Sequence, residues 1–148
     1  MQVKTILVPS DFSSHAAKAL ETAVELAKVF EAKIVIVHAY LVQPPPSVSM
    51  QGGYVIPEGY FEQARDHAHQ QVELLASQQK GSGVEVEGKA VEAAASQAIL
   101  EAAEEIAPDL IVMGTRGQTG LKHVLLGSVA ERIVRLADCP VLTVKADA

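Results

Sequence analysis

The chain has 148 residues, room for one domain with a packed core and little beyond it. Hydrophobic residues make up 49% and charged residues 20%, which excludes a disordered chain, and aromatics at 4% with no Trp leave Ala, Val, Ile and Leu to build the core. The net charge of −6 supplies no overall basic field for nucleic acid or anionic lipid, and a single Cys excludes a disulfide framework or a Cys-rich metal site and suits a reducing compartment.

Residues 3–8 read as a short apolar strand stopped by Pro9-Ser10-Asp11. This opening apolar run is too short for the core of a signal peptide, and no run approaches the ~18 residues of a membrane span, so the expected location is the cytoplasm. From 14 to 30, Ala17, Leu20, Val24, Ala27 and Phe30 recur at helical spacing, with Ser13 or Ser14 as N-cap. Residues 33–39 (KIVIVHA) form a β-branched run without polar alternation, the pattern of a strand buried on both faces. The stretch 41–59, with Pro44-Pro45-Pro46, Gly52-Gly53, Pro57 and Gly59, shows no periodicity and is expected to be a long irregular loop.

A polar helix is predicted over about 58–79, ended by Gly81-Ser82-Gly83, then a third strand over 84–91. A helix follows over 93–107, closed by Pro108, and a fourth, fully apolar strand over 110–113. A glycine-rich stretch leads to a last helix near 128–137 and a fifth strand over 140–144. Strict β-α alternation with helices of this length implies right-handed crossovers and a parallel sheet covered on both sides.

In such sheets ligands bind beyond the carboxyl ends of the strands, where strand order reverses. Two strand ends carry unusual residues: Pro9-Ser10-Asp11 after the first, and the segment 114–128 after the fourth, which holds Gly114, Gly117, Gly120 and Gly127. Between Asp109 and Glu131 lie 21 residues without an acid, although 18 of the 148 residues are Asp or Glu, and Arg116, Lys122 and His123 fall inside that window. Glycines let backbone amides approach an anion, and a helix opening at Gly127-Ser128 adds a partial positive charge. The segment therefore reads as a phosphate cradle, whose working parts are exposed peptide amides. The alternative is that the glycines only shape turns and Ser128 only caps a helix. Neither a Walker A loop nor G-x-G-x-x-G occurs, and no nucleophile elbow is present.

The spacing Gly114-x2-Gly117-x9-Gly127-Ser128 resembles the ATP-binding signature of the universal stress protein family. The segments Ile6-Leu-Val-Pro-Ser-Asp-Phe-Ser13, Ile36-Val-His-Ala39, Pro108-Asp-Leu-Ile-Val-Met-Gly114 and Cys139-Pro-Val-Leu-Thr-Val144 resemble, in order, that family's strands and strand ends. The resemblance implies a flavodoxin-like, Rossmann-like open sheet of five parallel strands in order 3-2-1-4-5 with helices on both faces. It implies ATP, with Mg2+ on the phosphates, between strands one and four. By the same resemblance Pro9, Asp11 and Ala39 lie toward the nucleoside, and Met113, Gly114, Arg116, Gly117, Gly127, Ser128 and Val129 around ribose and phosphates. It also implies a homodimer through the fifth strand (Val141-Leu142-Thr143-Val144). Two departures stand out: Ala93-Ala94-Ala95 replaces a Gly-x-Pro turn, and 41–59 matches no family pattern.

Among the other candidates, His67 and His69 are two apart on a helix and point in different directions, unlike paired metal ligands. His38 reads as a hydrogen-bonded core histidine, His15 as a first-turn residue without an evident partner, and Cys139 as a small buried hydrophobe. Glu101, Glu104 and Glu105 read as solvated helix faces. Lys122 and His123 either touch phosphate or lie on the exposed outside of the loop. Asp11 on its own reads as a helix-start carboxylate or a ligand group; ribose hydroxyls are donors that a carboxylate can accept.

The expected function is a nucleotide-dependent stress-response module in which ATP occupancy orders the glycine loop and changes the surface that partners meet. Hydrolysis is expected to be slow at most, without a positioned base or arginine finger. The rivals are a nucleotide-free interaction module on the same fold and an adenine-nucleotide hydrolase or ligase. The latter carries a serine–glycine-rich loop after strand one, which Pro9-Ser10-Asp11-Phe12-Ser13 is not.

Overall fold

A computed structural model describes residues 1–44, 48–49, 53–54, 56–116 and 125–146. The elements run β1 (Thr5–Pro9), α1 (Ser14–Phe30), β2 (Lys33–Tyr40), β3 (Val48–Ser49), β4 (Gly53–Tyr54), α2 (Tyr60–Ser77), β5 (Val86–Glu92), α3 (Ala95–Ile106), β6 (Leu110–Gly114), α4 (Ser128–Leu136) and β7 (Val141–Val144). Five strands pair side by side, all parallel, in the order β5-β2-β1-β6-β7. Numbered within the sheet, this is the expected 3-2-1-4-5.

The register explains the continuous apolar runs. Ile6 lies level with Ile34 and Leu110, and Leu7 with Val35 and Ile111. Side chains alternate across a strand, so successive rows face opposite sides. Ile6, Val8, Ile34, Ile36, Leu110 and Val112 pack with α1 and with Val72 and Ala76 of α2. Leu7, Val35, Val37, Ile111 and Met113 pack with Ile99 and Ala102 of α3 and Ala130 and Ile133 of α4. Both layers are aliphatic, and no aromatic side chain is among the buried residues described.

Three departures from the periodicity have local causes. The third strand of the sheet starts at Val86 and not at 84, because Gly83 turns at φ 80° and Ser82 Oγ accepts the Val84 amide at 3.2 Å. The second helix starts at Tyr60, after Gly59 at φ 79°. The stretch 41–59 is not wholly irregular: β3 and β4 form an antiparallel pair, Val48 opposite Tyr54. At the amino end of the sheet, Asp109 Oδ2 accepts the amides of Lys4 at 2.9 Å and Thr5 at 3.0 Å. Those two bonds hold its carboxyl below the usual carboxylate range.

Candidate functional site

The strand order makes the site. From β1 the chain leaves to α1 on one face, and α4, which follows β6, covers the other face. A crevice opens between these neighbouring strands at their carboxyl ends. It holds a cavity of about 270 Å3, lined from β1 by Pro9, Ser10 and Asp11 and from β6 by Met113, Gly114, Thr115 and Arg116. Val37 and Ala39 of β2, Ala95 and Ile99 of α3, Ala16 of α1, and Gly127 to Ala130 complete the lining.

The β1–α1 wall is a turn whose amides are met by its own side chains. Ser10 Oγ accepts the Phe12 amide at 3.2 Å, Asp11 Oδ1 accepts the Ser13 amide at 3.0 Å, and Ser13 Oγ, the N-cap of α1, accepts the Ala16 amide at 3.2 Å. Phe12 sits at φ 62°, a conformation that costs a non-glycine residue about 1 kcal/mol or more. Its ring rests against His38, centroids 4.4 Å apart. His38 Nδ1 lies 3.0 Å from the Ser10 carbonyl oxygen. A carbonyl only accepts, so Nδ1 carries the proton and donates. His38 is thus the hydrogen-bonded histidine that its place in the strand suggests.

The β6–α4 wall is built differently. Gly127 is the N-cap of α4, and a glycine has no side chain with which to cap. The amides of Ser128, Val129 and Ala130 lie in the first helical turn, where no intrahelical carbonyl reaches them. The Gly127 amide itself is taken, contrary to the expectation that it faces a ligand: it donates to the Thr115 carbonyl at 2.6 Å. The Thr115 amide in turn donates to the Val144 carbonyl at 3.1 Å, extending the β6–β7 ladder. Two glycines have internal reasons as well. A Cβ on Gly114 would lie 3.1 Å from the His15 carbonyl oxygen, and one on Gly127 would lie 3.2 Å from that of Thr115. The part of the described cradle whose amides are left for an anion therefore narrows to the first turn of α4.

Of the residues singled out in the sequence, Pro9, Asp11, Ala39, Met113, Gly114, Arg116, Gly127, Ser128 and Val129 all line this one cavity. Gly117, Gly120, Lys122 and His123 lie outside the described residues. Ile99 was missed, since it belongs to another helix and reaches the cleft only through the β5–α3 crossover, whereas Ala95 stands in the Ala93-Ala94-Ala95 stretch already singled out. Ala94 is the N-cap of α3 with no side-chain bond, so Ala93-Ala94-Ala95 brings a second uncapped helix start to the cavity. Thr115, 3% exposed, carried a weak signal as a polar residue directly after an apolar strand.

The remaining candidates stay apart from the cleft lining. His67 and His69 are exposed on α2, and His69 meets the Tyr40 ring edge-on at 6.3 Å. Among the described residues no three acidic, His or Cys side chains gather at metal-binding distance. Cys139 is half-buried against the α3–α4 layer, and burial pushes its thiol above the usual range. Glu101, Glu104 and Glu105 are exposed, and Glu105 pairs with Lys89. No helix among the described residues is long and apolar enough to cross a membrane.

Comparison with known proteins gives one family. The chain is 35% identical over 142 residues to universal stress protein MJ0531 of Methanocaldococcus jannaschii, covering 96% of this chain and 82% of that protein. It is 33% identical over 144 residues to universal stress protein YxiE of Bacillus subtilis, covering 95% and 97%. Among solved structures, hypothetical protein MJ0577 superimposes with a TM-score of 0.80 at 28% identity, covering 100% of this chain and 99% of that one. A universal stress protein solved in complex with cAMP superimposes with a TM-score of 0.65 at 27% identity, covering 99% and 100%. Residues 2–145 match the universal stress protein family itself, and the chain belongs to that family.

Proposed function

We propose that this protein binds ATP, with Mg2+ on the phosphates, in the cleft between β1 and β6, and acts as a nucleotide-dependent stress-response module. The observation that carries the proposal is the juxtaposition in one cavity of Asp11 and the uncapped first turn of α4. The amides of Ser128 to Ala130 suit a phosphate, and the Ser128 hydroxyl adds a donor. Asp11 suits ribose hydroxyls, and Val37, Ala39, Ala95 and Ile99 offer small apolar surface to a base. The universal stress protein solved in complex with cAMP supports an adenine nucleotide as the ligand.

Among the described lining residues Asp11 is the one carboxylate, so Mg2+ would be carried by phosphate oxygens and water, as this ion ordinarily is. A single carboxylate already bonded to the Ser13 amide is a poor candidate for positioning an attacking water, and hydrolysis is at most slow. We further propose a homodimer through β7, an edge strand with Leu142 38% exposed, and a cytoplasmic location. Light scattering on a size-exclusion column tests the dimer, and a monomer at micromolar concentration removes it.

A second reading is favoured by the internal packing of Gly114 and Gly127 against the carbonyls of His15 and Thr115: an interaction module in which these glycines serve geometry alone. Calorimetric titration with ATP and Mg2+ separates the two. Binding heat and a rise in melting temperature at millimolar ATP support the nucleotide site; neither signal supports the second reading.

A further inference from the structure

We infer that His38, which does not line the cleft, is a positioning residue that sets the Asp11 carboxylate for recognition of the ribose. The inference rests on the nucleotide site proposed above.

Asp11 stands in the turn between β1 and α1. Its neighbours on either side are each held by one contact to His38: the Ser10 carbonyl accepts from Nδ1–H at 3.0 Å, and the Phe12 ring packs at 4.4 Å and 41° on the imidazole. Phe12 needs that contact more than an ordinary residue does. At φ 62° it stays in the left-handed region only while something over-determines it, and with the residue 39% exposed the His38 ring is a substantial part of what its side chain rests on. The Phe12 amide is held by Ser10 Oγ, and the Ser10 amide by the Val37 carbonyl at 2.9 Å, one residue before His38. Strand β2 thus grips the turn at two successive residues, Val37 through its main chain and His38 through its side chain. Between the two residues that His38 holds stands Asp11, whose Oδ1 is fixed by the Ser13 amide. Remove the imidazole, and Ser10 loses a donor while Phe12 loses the surface that stabilises its strained backbone. Both losses act on the peptide units that flank Asp11.

The effect belongs on the sugar. Asp11 lies on the β1 wall and α4 on the other, so a displaced Asp11 leaves the phosphate amides untouched. The experiment compares binding of ATP and 2′,3′-dideoxy-ATP, each with Mg2+, to the full-length protein and its variants. The full-length protein is expected to bind ATP about tenfold more tightly than the dideoxy analogue, the value of a hydrogen bond to a charged acceptor. His38→Leu is expected to bring that ratio to about one while changing dideoxy-ATP affinity less than about twofold. His38→Asn, whose amide nitrogen replaces the Nδ1 donor, is expected to recover about half of the lost discrimination on a logarithmic scale. Phe12→Ala, which keeps the Ser10 bond and removes the ring, provides the same comparison should His38→Leu not fold.

A second measurement needs no nucleotide. Hydrogen exchange at the Ser13 amide reports its bond to Asp11, and its protection is expected to fall about tenfold in His38→Leu relative to Ala19 in the middle of α1. An unchanged ribose ratio in the His38 and Phe12 variants, or an unchanged Ser13 exchange rate, overturns the inference while leaving the nucleotide site standing. If the full-length protein binds neither nucleotide, the site proposal itself falls and the ribose role with it.

Discussion

The two walls of the cleft treat a helix start in opposite ways. On the β1 side, Ser10 Oγ and Asp11 Oδ1 accept amides of the turn, and Ser13 Oγ caps α1 by accepting the Ala16 amide. On the β6 side, α4 begins at a glycine, and among the described residues no side chain caps it. A capped start is stiff and electrostatically quiet; an uncapped start leaves donors and a partial positive charge for whatever anion comes near. The contrast teaches that the same backbone problem, four amides without carbonyls, is solved internally where a wall is needed and left open where a ligand can complete it.

Closing the open wall is the strongest way to break the contrast. Gly127→Asp places a capping carboxylate on the first turn of α4, at a φ of −68° and ψ of 164° open to Asp, with its Cβ 3.2 Å from the Thr115 carbonyl oxygen, which must shift slightly. Its charge is expected to cost several kcal/mol against phosphate, about a hundredfold or more in ATP affinity by calorimetry. The melting temperature is expected to fall by a few degrees, because the new Cβ crowds the Thr115 carbonyl that accepts the Gly127 amide, so affinity is compared at a temperature where both proteins are folded.

Two serines sharpen the comparison. Ser128→Ala removes a donor from the open wall and is expected to weaken ATP about fivefold with thermal stability unchanged. Ser13→Ala removes the cap from the closed wall and is expected to cost about 1 kcal/mol, a fall of about 2–4 °C in melting temperature by calorimetry. A serine swap that produced the reverse pattern would erase the distinction between the walls.

The smallest expected effect lies at the opposite end of the sheet. Asp109, like Asp11, accepts main-chain amides, and its folded-state carboxyl sits below its ordinary value through the bonds from Lys4 and Thr5. A carboxyl depressed on folding adds stability above its unfolded-state value and loses it as pH falls toward the folded-state value. The melting-temperature difference between the parent protein and Asp109→Asn is therefore expected to be constant near neutrality and to shrink below about pH 4. ATP affinity is expected to be unchanged, because Asp109 does not line the cleft.

The fold was legible because its three central strands β2, β1 and β6 are apolar on both faces and its helices carry recognisable stops. Ala107 ends α3 in the left-handed region at φ 50°, directly before the Pro108 that marks the stop in the sequence. The pair β3–β4 was not legible, since two-residue strands have no period to read. In the site, Asp11 and Ser128 stood out because each follows a strand or opens a helix in a segment of unusual composition. Ile99 did not, because only the crossover from β5 brings its helix to the cavity. Gly114 and Gly127 were legible as necessary glycines, but composition does not say whether a ligand or a neighbouring carbonyl requires the space. Here the carbonyls of His15 and Thr115 already claim part of it.

The sheet ends in two unlike edges. At β7 the sequence Val-Leu-Thr-Val offers a charge-free margin, whereas β5 carries Glu87, Lys89 and Glu92, with Lys89 already committed to Glu105. A margin that pairs with its own copy about a two-fold axis consumes itself, while pairing of one margin with the other propagates without end. Charge on β5 discourages the propagating mode, so self-association through this sheet is biased to stop at two chains and away from fibres.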